Sequence, residues 1–373
     1  MMKITILSTA YPLRGGIAHF VGLLFNELKK SYDVNIITFK RQYPSILFPG
    51  KSQLEENNEI EKLPTEILVD SINPFNWIKV GRKIFDEKPD LVIFKYWMPF
   101  FAPCFGTIIR KAKKNNRTKV LVICDNVIPH EKKPFDAALT KYFFNNVDFF
   151  VVLSESVKQD LLSLYPKAKH KLLSHPIYSN FGNPVNKTEA KSYLKIKDEK
   201  VILFFGFIRD YKGLDVLLNA LSLLKEKNIK LIVAGEFYSN KEKYSKLIDD
   251  LTIKQNVFLF NDFIPTDEVK YYFSAADAVV LPYKDATQSG IVQIAVNFAK
   301  PVIATNVGGL SEVVEDGKMG YIVVKEDPGQ LAEAIRKFYE ENKETEFSHN
   351  ISLLAEKYSW ESFTKGIFDL INS

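Results

Sequence analysis

Along the chain, short apolar runs alternate with stretches whose apolar residues recur every three or four positions. Lys3–Ser8 reads as a first strand, and Ile17, Phe20, Val21, Leu24 and Leu28 then fall on one face of a helix. The β-like pattern returns at Val34–Phe39, Leu91–Tyr96, Lys119–Asp125 and Phe149–Ser154, each followed by helical or loop segments. It begins again at Val201–Gly206 and continues through Leu231–Ala234, Val257–Phe260, Ala278–Tyr283, Pro301–Thr305 and Gly320–Val324. Strands alternating with helices predict parallel sheets covered on both faces. The predicted helices include one opening at Ser289-Gly290, one near Leu331–Tyr339 with Pro328 at its start, and a last one over Trp360–Ile371. Thr266 is the predicted N-cap of the helix before Asp277, with Asp267 and Glu268 in its first turn.

Between Ile177 and Leu194 the chain turns to YSNFGNPVNKTEA, rich in Asn, Gly and Pro, and the domain boundary is expected there. A length of 373 residues suits two cores better than one. The expected division is residues 1–180, residues 181–350, and C-terminal helices over 351–373 packing back toward the first domain. The irregular stretch Gln42–Pro64 is long for a connection. It is read either as the frame of an acceptor entrance or as a surface excursion.

Composition removes several classes. With 46% hydrophobic and 25% charged residues the chain is ordinary globular material. Two cysteines, Cys104 and Cys124, give neither a disulfide framework nor a metal cluster, and a reducing cytosol fits them. No leader of signal-peptide type opens the sequence, and no apolar run reaches a membrane span. Residues 1–185 hold 26 Lys and Arg against 17 Asp and Glu, whereas the remainder holds 24 against 28. An anionic partner would therefore favour the first half. Phe75, Trp77, Trp97, Phe100 and Phe101, with Arg110, Lys111, Lys113 and Lys114 nearby, could lie against anionic lipid. The same pattern suits a helix packed on its sheet with a cationic end.

The candidate chemistry gathers in loops at the carboxyl ends of strands, where open α/β sheets bind their ligands. Gly15-Gly16 lies between a strand and a helix, where free backbone NH groups can meet a phosphate, but GxGxxG is missing. Arg209 and Lys212 leave one loop just before a helix and can converge on a diphosphate. A polar group, Asp125, Asn126 and His130, follows the strand that ends near Cys124. The run from Asp277 to Gly309 supplies two further loops. No DxD is present to hold a divalent ion on a sugar nucleotide, and there is no HExxH, GxSxG or Walker lysine loop.

Taken together, the Gly15-Gly16 loop, FFGFIRDYKGLDVLLNAL, VVLPYKDATQSGI, KPVIATNVGGLSEVVEDGKMGYIV and YSWESF resemble family 4 of the retaining glycosyltransferases over nearly the whole chain. The resemblance implies the GT-B fold, two Rossmann-like parallel-sheet domains facing across a cleft. The first would bind the acceptor, and the second most of a nucleotide-diphosphate sugar. It implies that Gly15 and Gly16 face the donor diphosphate or sugar, and that Arg209 and Lys212 grip the diphosphate. Gly206, Glu236, Phe263, Ile264, Pro265, Gln288, Ser289, Gly290 and Gln293 would complete the substrate-binding set. Asp125, Asn126 and His130 are carried only as a group in the catalytic set, with none assigned as general base.

Such enzymes use UDP- or GDP-sugars without an essential metal or cofactor, and the leaving diphosphate itself can take the acceptor's proton. Members commonly carry two glutamates spaced E-x7-E, but counting back from Lys300-Pro301 those places hold Ala286 and Ile294, with Asp285, Gln288 and Gln293 as nearby polar substitutes. The histidine common after the fourth strand aligns with Asp125. The expected function is transfer of a sugar to a glycan or lipid-linked glycan hydroxyl, in the cytoplasm or peripherally at an anionic membrane, with no role for nucleic acid. The alternatives are a catalytically inactive nucleotide- or glycan-binding partner subunit, and an epimerase or phosphorylase on the same fold.

Overall fold

The computed structural model describes residues 1–44, 52–55, 63–129, 134–197, 199–224, 228–238 and 240–373. His130 and most of the Gln42–Pro64 stretch lie outside the described residues. The chain forms two compact units, Met1–Pro176 together with Tyr358–Ser373, and Ile177–Lys357.

The first unit is built on a seven-stranded parallel sheet of β1 (Lys3–Leu7), β2 (Asp33–Arg41), β3 (Thr65–Asp70), β4 (Leu91–Tyr96), β5 (Lys119–Cys124), β6 (Phe149–Val152) and β7 (His170–Leu172). Their order is β3-β2-β1-β4-β5-β6-β7. β1 pairs with both β2 and β4, so the sheet reverses its winding there, Ile4 standing opposite Val34 on one side and Leu91 on the other. β4 is buried at every position and β5 at all but its first, as strands covered on both faces must be. Under the sheet, Phe101, Phe105, Phe143 and Phe144 form an apolar cluster with neighbouring ring centroids 5.5–5.7 Å apart. The helix Trp360–Asn372 returns to this unit, and Trp360 and Phe363 meet Phe20 edge-on at 4.9 and 5.8 Å.

The second unit carries β8 (Lys200–Phe205), β9 (Ile229–Ala234), β10 (Val257–Phe260), β11 (Ala278–Leu281), β12 (Val302–Thr305) and β13 (Gly320–Val323). Their order is β10-β9-β8-β11-β12-β13, all parallel, with the reversal between β8 and β11. Parallel sheets are what the sequence pattern implied, and two Rossmann-like units are what the family resemblance implied. β3 and β7 are additional strands. At the amino end of β11, Asp277 receives the Val201 NH at 2.7 Å, the Tyr339 hydroxyl at 2.9 Å and the Lys187 ammonium at 2.5 Å, tying strand, helix and entry segment together.

One predicted cap is corrected. The helix before β11 spans Val269–Ala275, and its N-cap is Glu268 without a side-chain bond. The chain first turns through Thr266, with the Glu268 NH donating to the Pro265 carbonyl at 3.0 Å, while the Thr266 hydroxyl is buried with no partner among the described residues. Pro328 does open the helix Pro328–Glu340, as read from the sequence. Among the described residues, no helix is long and apolar enough to cross a membrane.

Candidate functional site

In the second unit the loops after β8, β9, β10 and β11 gather most of the predicted residues at the sheet's reversal point. β8 runs into Gly206 at φ +95°, then through Arg209 into a single 3-10 turn, Asp210–Lys212, and the helix Leu214–Ser222. Gly213, at φ +69°, makes this tight exit, since a Cβ there would stand 1.9 Å from the Pro282 carbonyl oxygen. The turn is fastened to the loop after β11: the Lys284 NH donates to the Tyr211 carbonyl at 2.7 Å, and its ammonium pairs with Asp215 at 2.7 Å.

The exit carries Lys212 inward. It is only 8% exposed, and its Nζ lies 5.7 Å from the centroid of the Tyr283 ring. A Cβ on Gly206 would lie 3.2 Å from both Lys212 Nζ and Ile291 Cδ1. The glycine therefore leaves room for the ammonium beside the first turn of the helix Gly290–Asn297. Ser289 caps that helix by accepting from the Ile291 NH at 3.2 Å, and the Tyr283 and Ser289 hydroxyls are 3.3 Å apart. Lys212 forms no ion pair among the described residues. Burial, and secondly the nearby Arg209 guanidinium, lower its pKa to about 7. A helix N-terminus beside two basic side chains, with Asp210 turned to Lys243 and Tyr244, favours a negatively charged ligand.

Around this point other polar atoms lack hydrogen-bond partners among the described residues. Both amide atoms of Gln288 and Oε1 of Gln293 are buried without a hydrogen bond, Gln293 being 1% exposed. Ala286 and Ile294, at the E-x7-E places, are buried apolar residues. Glu236 is buried after β9 and accepts the Ile208 NH through its carbonyl at 2.9 Å. On the outer side, Arg209 lies over the Tyr238 ring at 5.0 Å, and Tyr238 stacks on Phe207 at 4.6 Å. Phe263 adjoins Phe207 at 6.5 Å, with Ile264 buried and Pro265 half-buried after it. Phe207 and Tyr238 were not visible as site residues in the sequence, because their stack forms only once β8 and β9 are paired.

In the first unit, Gly15 at φ +107° precedes the helix Gly16–Leu28 at the carboxyl end of β1. His19, in its first turn, has its pKa lowered to about 4 by burial, so the imidazole is neutral at pH 7. Asp125 and Asn126 follow β5, half-buried. Asp125 does not stand alone: the Lys95 ammonium at the end of β4 donates to Oδ1 at 2.6 Å. Lys95 is the residue that sequence reading passed over, and its signal was a single lysine in the otherwise apolar strand LVIFKY. Of the five aromatics considered for a lipid face, Phe101 is buried and Trp77, Trp97 and Phe100 pack on the core. Phe75 is 84% exposed. Among the described residues, no group of three or more His, Cys, Asp or Glu is placed to hold a metal ion.

Comparison with known proteins places the chain in a family. The chain is 26% identical over 380 residues to an uncharacterised glycosyltransferase of Methanocaldococcus jannaschii, covering 98% of this chain and 97% of that one. Its fold is similar to that of Anabaena HepE, solved in complex with UDP, with a TM-score of 0.77 at 15% identity and full coverage of both chains. It is also similar to the sucrose-phosphate synthase of Thermosynechococcus elongatus, with a TM-score of 0.76 at 17% identity over 99% and 98% of the two chains. The profile of the glycosyl transferases group 1 family matches residues 185–372. These likenesses and the two parallel-sheet units agree, and the chain belongs to the glycosyl transferases group 1 family.

Proposed function

We propose that the protein is a metal-independent, retaining glycosyltransferase of the family-4 type. It would move a sugar from a UDP- or GDP-sugar to a hydroxyl of a glycan or lipid-linked glycan, with no cofactor beyond the donor. The observation that carries this reading is Lys212: a buried amine beside Arg209 and a capped helix N-terminus, with no ion pair among the described residues. A departing diphosphate supplies the missing charge. Positive groups already aimed where negative charge develops lower the barrier, because they need no reorganisation during the reaction. Gln288 and Gln293, whose buried amide atoms include ones unpartnered among the described residues, offer neutral contacts where the family's carboxylates are missing. Glu236, Phe263, Ile264, Pro265 and the Ser289-Gly290 amides complete the donor set, and Gly15 and Gly16 would face the diphosphate or sugar. HepE, with the same fold, binds UDP, which suits this donor class.

The same reading puts the protein in the cytoplasm, touching an anionic membrane through its first unit. Phe75, Ile78, Lys79 and Arg82 share one exposed helix face there, two apolar residues followed by two cationic ones.

A second reading, an inactive nucleotide-binding partner subunit, is favoured by one observation, the apolar Ala286 and Ile294 at the glutamate places. Turnover of a panel of UDP- and GDP-sugars, with and without glycoside acceptors, separates the two. Wild-type turnover with anomeric retention, lost in Arg209→Ala and Lys212→Ala, is the expected result. Tight nucleotide binding without turnover of any donor would establish the partner subunit instead.

A further inference from the structure

The carboxyl ends of β4 and β5 hold a buried charge that the donor site does not use. Lys95 is 3% exposed, and its Nζ donates to Asp125 Oδ1 at 2.6 Å. On its other side, Nζ lies 3.5 Å from the centroid of Phe20, within van der Waals contact of the ring face. Phe20 is fully buried on the helix that follows Gly15-Gly16, and His175, Trp360 and Phe363 surround it edge-on at 5.3, 4.9 and 5.8 Å. The ammonium is thus clamped between an aromatic face and a carboxylate.

The titratable groups facing this cation are Asp125, Cys124 and His175. Burial, and secondly Lys95, lower the pKa of His175 to about 3, so it is neutral at working pH. Burial raises the Cys124 thiol far above its usual range, so it is neutral too. Burial raises the pKa of Asp125 and lowers that of Lys95, and each partner's charge opposes the other's shift, so Asp125 is the one group among them that can pair with the ammonium as an anion.

Taking an ion pair out of water costs several kcal/mol per ion before the attraction is counted, and apolar residues of similar size often serve stability as well. Stability alone therefore gives little reason for a lysine here. The Asp125 side chain keeps 21% exposure, and its Oδ2 has no hydrogen bond among the described residues. We propose that Lys95 is a positioning residue: it fixes Asp125 through Oδ1 so that Oδ2 is held out to accept a hydroxyl of a sugar substrate. This rests on the reading of the protein as a glycosyltransferase. An oriented carboxylate accepts short, charge-assisted hydrogen bonds from hydroxyls, and orientation is what the lysine adds. The hydroxyl can belong to the donor sugar or to the acceptor.

The test uses the full chain and the nucleotide sugar that the wild type turns over fastest among UDP-glucose, UDP-galactose, UDP-N-acetylglucosamine and GDP-mannose. Hydrolysis and transfer to octyl glycosides are measured from pH 5 to 9 for wild type, Lys95→Met, Lys95→Arg and Asp125→Asn, with UDP affinity measured alongside. Lys95→Met is expected to lower kcat by about a hundredfold, the scale of a misplaced contact. UDP affinity should stay unchanged, and the acid limb of the profile should move to higher pH because Asp125 has lost its cation. Lys95→Arg should retain more turnover than Lys95→Met. The double variant Lys95→Met/Asp125→Asn should be no worse than Asp125→Asn alone.

Loss of both hydrolysis and transfer assigns the hydroxyl to the donor sugar, and loss of transfer alone assigns it to the acceptor. If Lys95→Met keeps wild-type kcat and pH profile while Asp125→Asn is impaired, the role given to Lys95 is wrong and the glycosyltransferase reading stands. If Lys95→Met loses UDP affinity in step with turnover, the lysine is structural. If Asp125→Asn keeps full turnover, Asp125 binds no hydroxyl and the proposal falls with it.

Discussion

Lys212 concentrates the chemistry of the second unit in one side chain. With its pKa lowered to about 7, first by burial and then by Arg209, the ligand-free protein at pH 8 holds mostly the neutral amine. In the proposed grip a diphosphate binds the charged form, so UDP affinity should fall as pH rises from 7 to 9. The second phosphate pKa is about 6, so the ligand's own charge is constant over that range. Titrations of wild type and Lys212→Met check this, and the decline should be absent in the variant. Stability has the opposite sign. An unfolded lysine near 10.5 binds more protons than the folded one between about 7 and 10.5, so this group's contribution to ligand-free stability rises with pH across that window. Wild type should gain thermal stability relative to Lys212→Met between pH 7 and 9. Arg209 and Lys212 were legible in the sequence because both stand in a short loop between a strand and a helix. Lys95 was not, because its partners Asp125 and Phe20 lie 30 and 75 positions away and meet it only when β1, β4 and β5 pair.

Single elements decide whether those residues can be held. Gly213 carries the exit from the Arg209–Lys212 turn at positive φ against the Pro282 carbonyl. Left-handed backbone costs an L-residue roughly 1–2 kcal/mol, and the clash adds to it. Gly213→Ala should therefore lower the chemical-denaturation midpoint and weaken UDP binding together. Ser289→Ala removes the side-chain cap of the helix Gly290–Asn297, at a cost of about 1 kcal/mol, and should leave the fold intact. Eleven strands were legible as continuous apolar or alternating runs. β3 and β7 were not: both are edge strands, and TEILVD and HKL are half-exposed and carry charged or polar positions, so no apolar run marks them. Thr266 misled for a local reason. Cap-type residues also favour turns, and here the turn formed first, with the hydroxyl facing inward.

At the scale of the molecule, two sheets of one strand pattern make up the chain, and its last helix belongs to the first of them. Trp360 packs on Phe20 beside the Lys95 clamp. Trp360→Ala should cost about 3–5 kcal/mol, the usual penalty for emptying a buried aromatic site. Hydrogen exchange should place the loosening in β1, β4 and the helix Gly16–Leu28 rather than in the second unit. The repeated alternation of strands and helices could be read from periodicity, but the order of the strands and the ligand could not, because pairing partners lie far apart in the chain, the charges are few and the family's glutamates are replaced by Ala286 and Ile294. The central claim, that Arg209, Lys212 and the Ser289-capped helix form a diphosphate grip, is met most directly by calorimetric titration of wild type and Lys212→Ala with UDP and with UMP. The grip predicts that wild type prefers UDP by about tenfold or more, the worth of a charge-assisted contact, and that Lys212→Ala loses most of that preference. Equal affinity for UDP and UMP in the wild type, or an undiminished preference in Lys212→Ala, would contradict it.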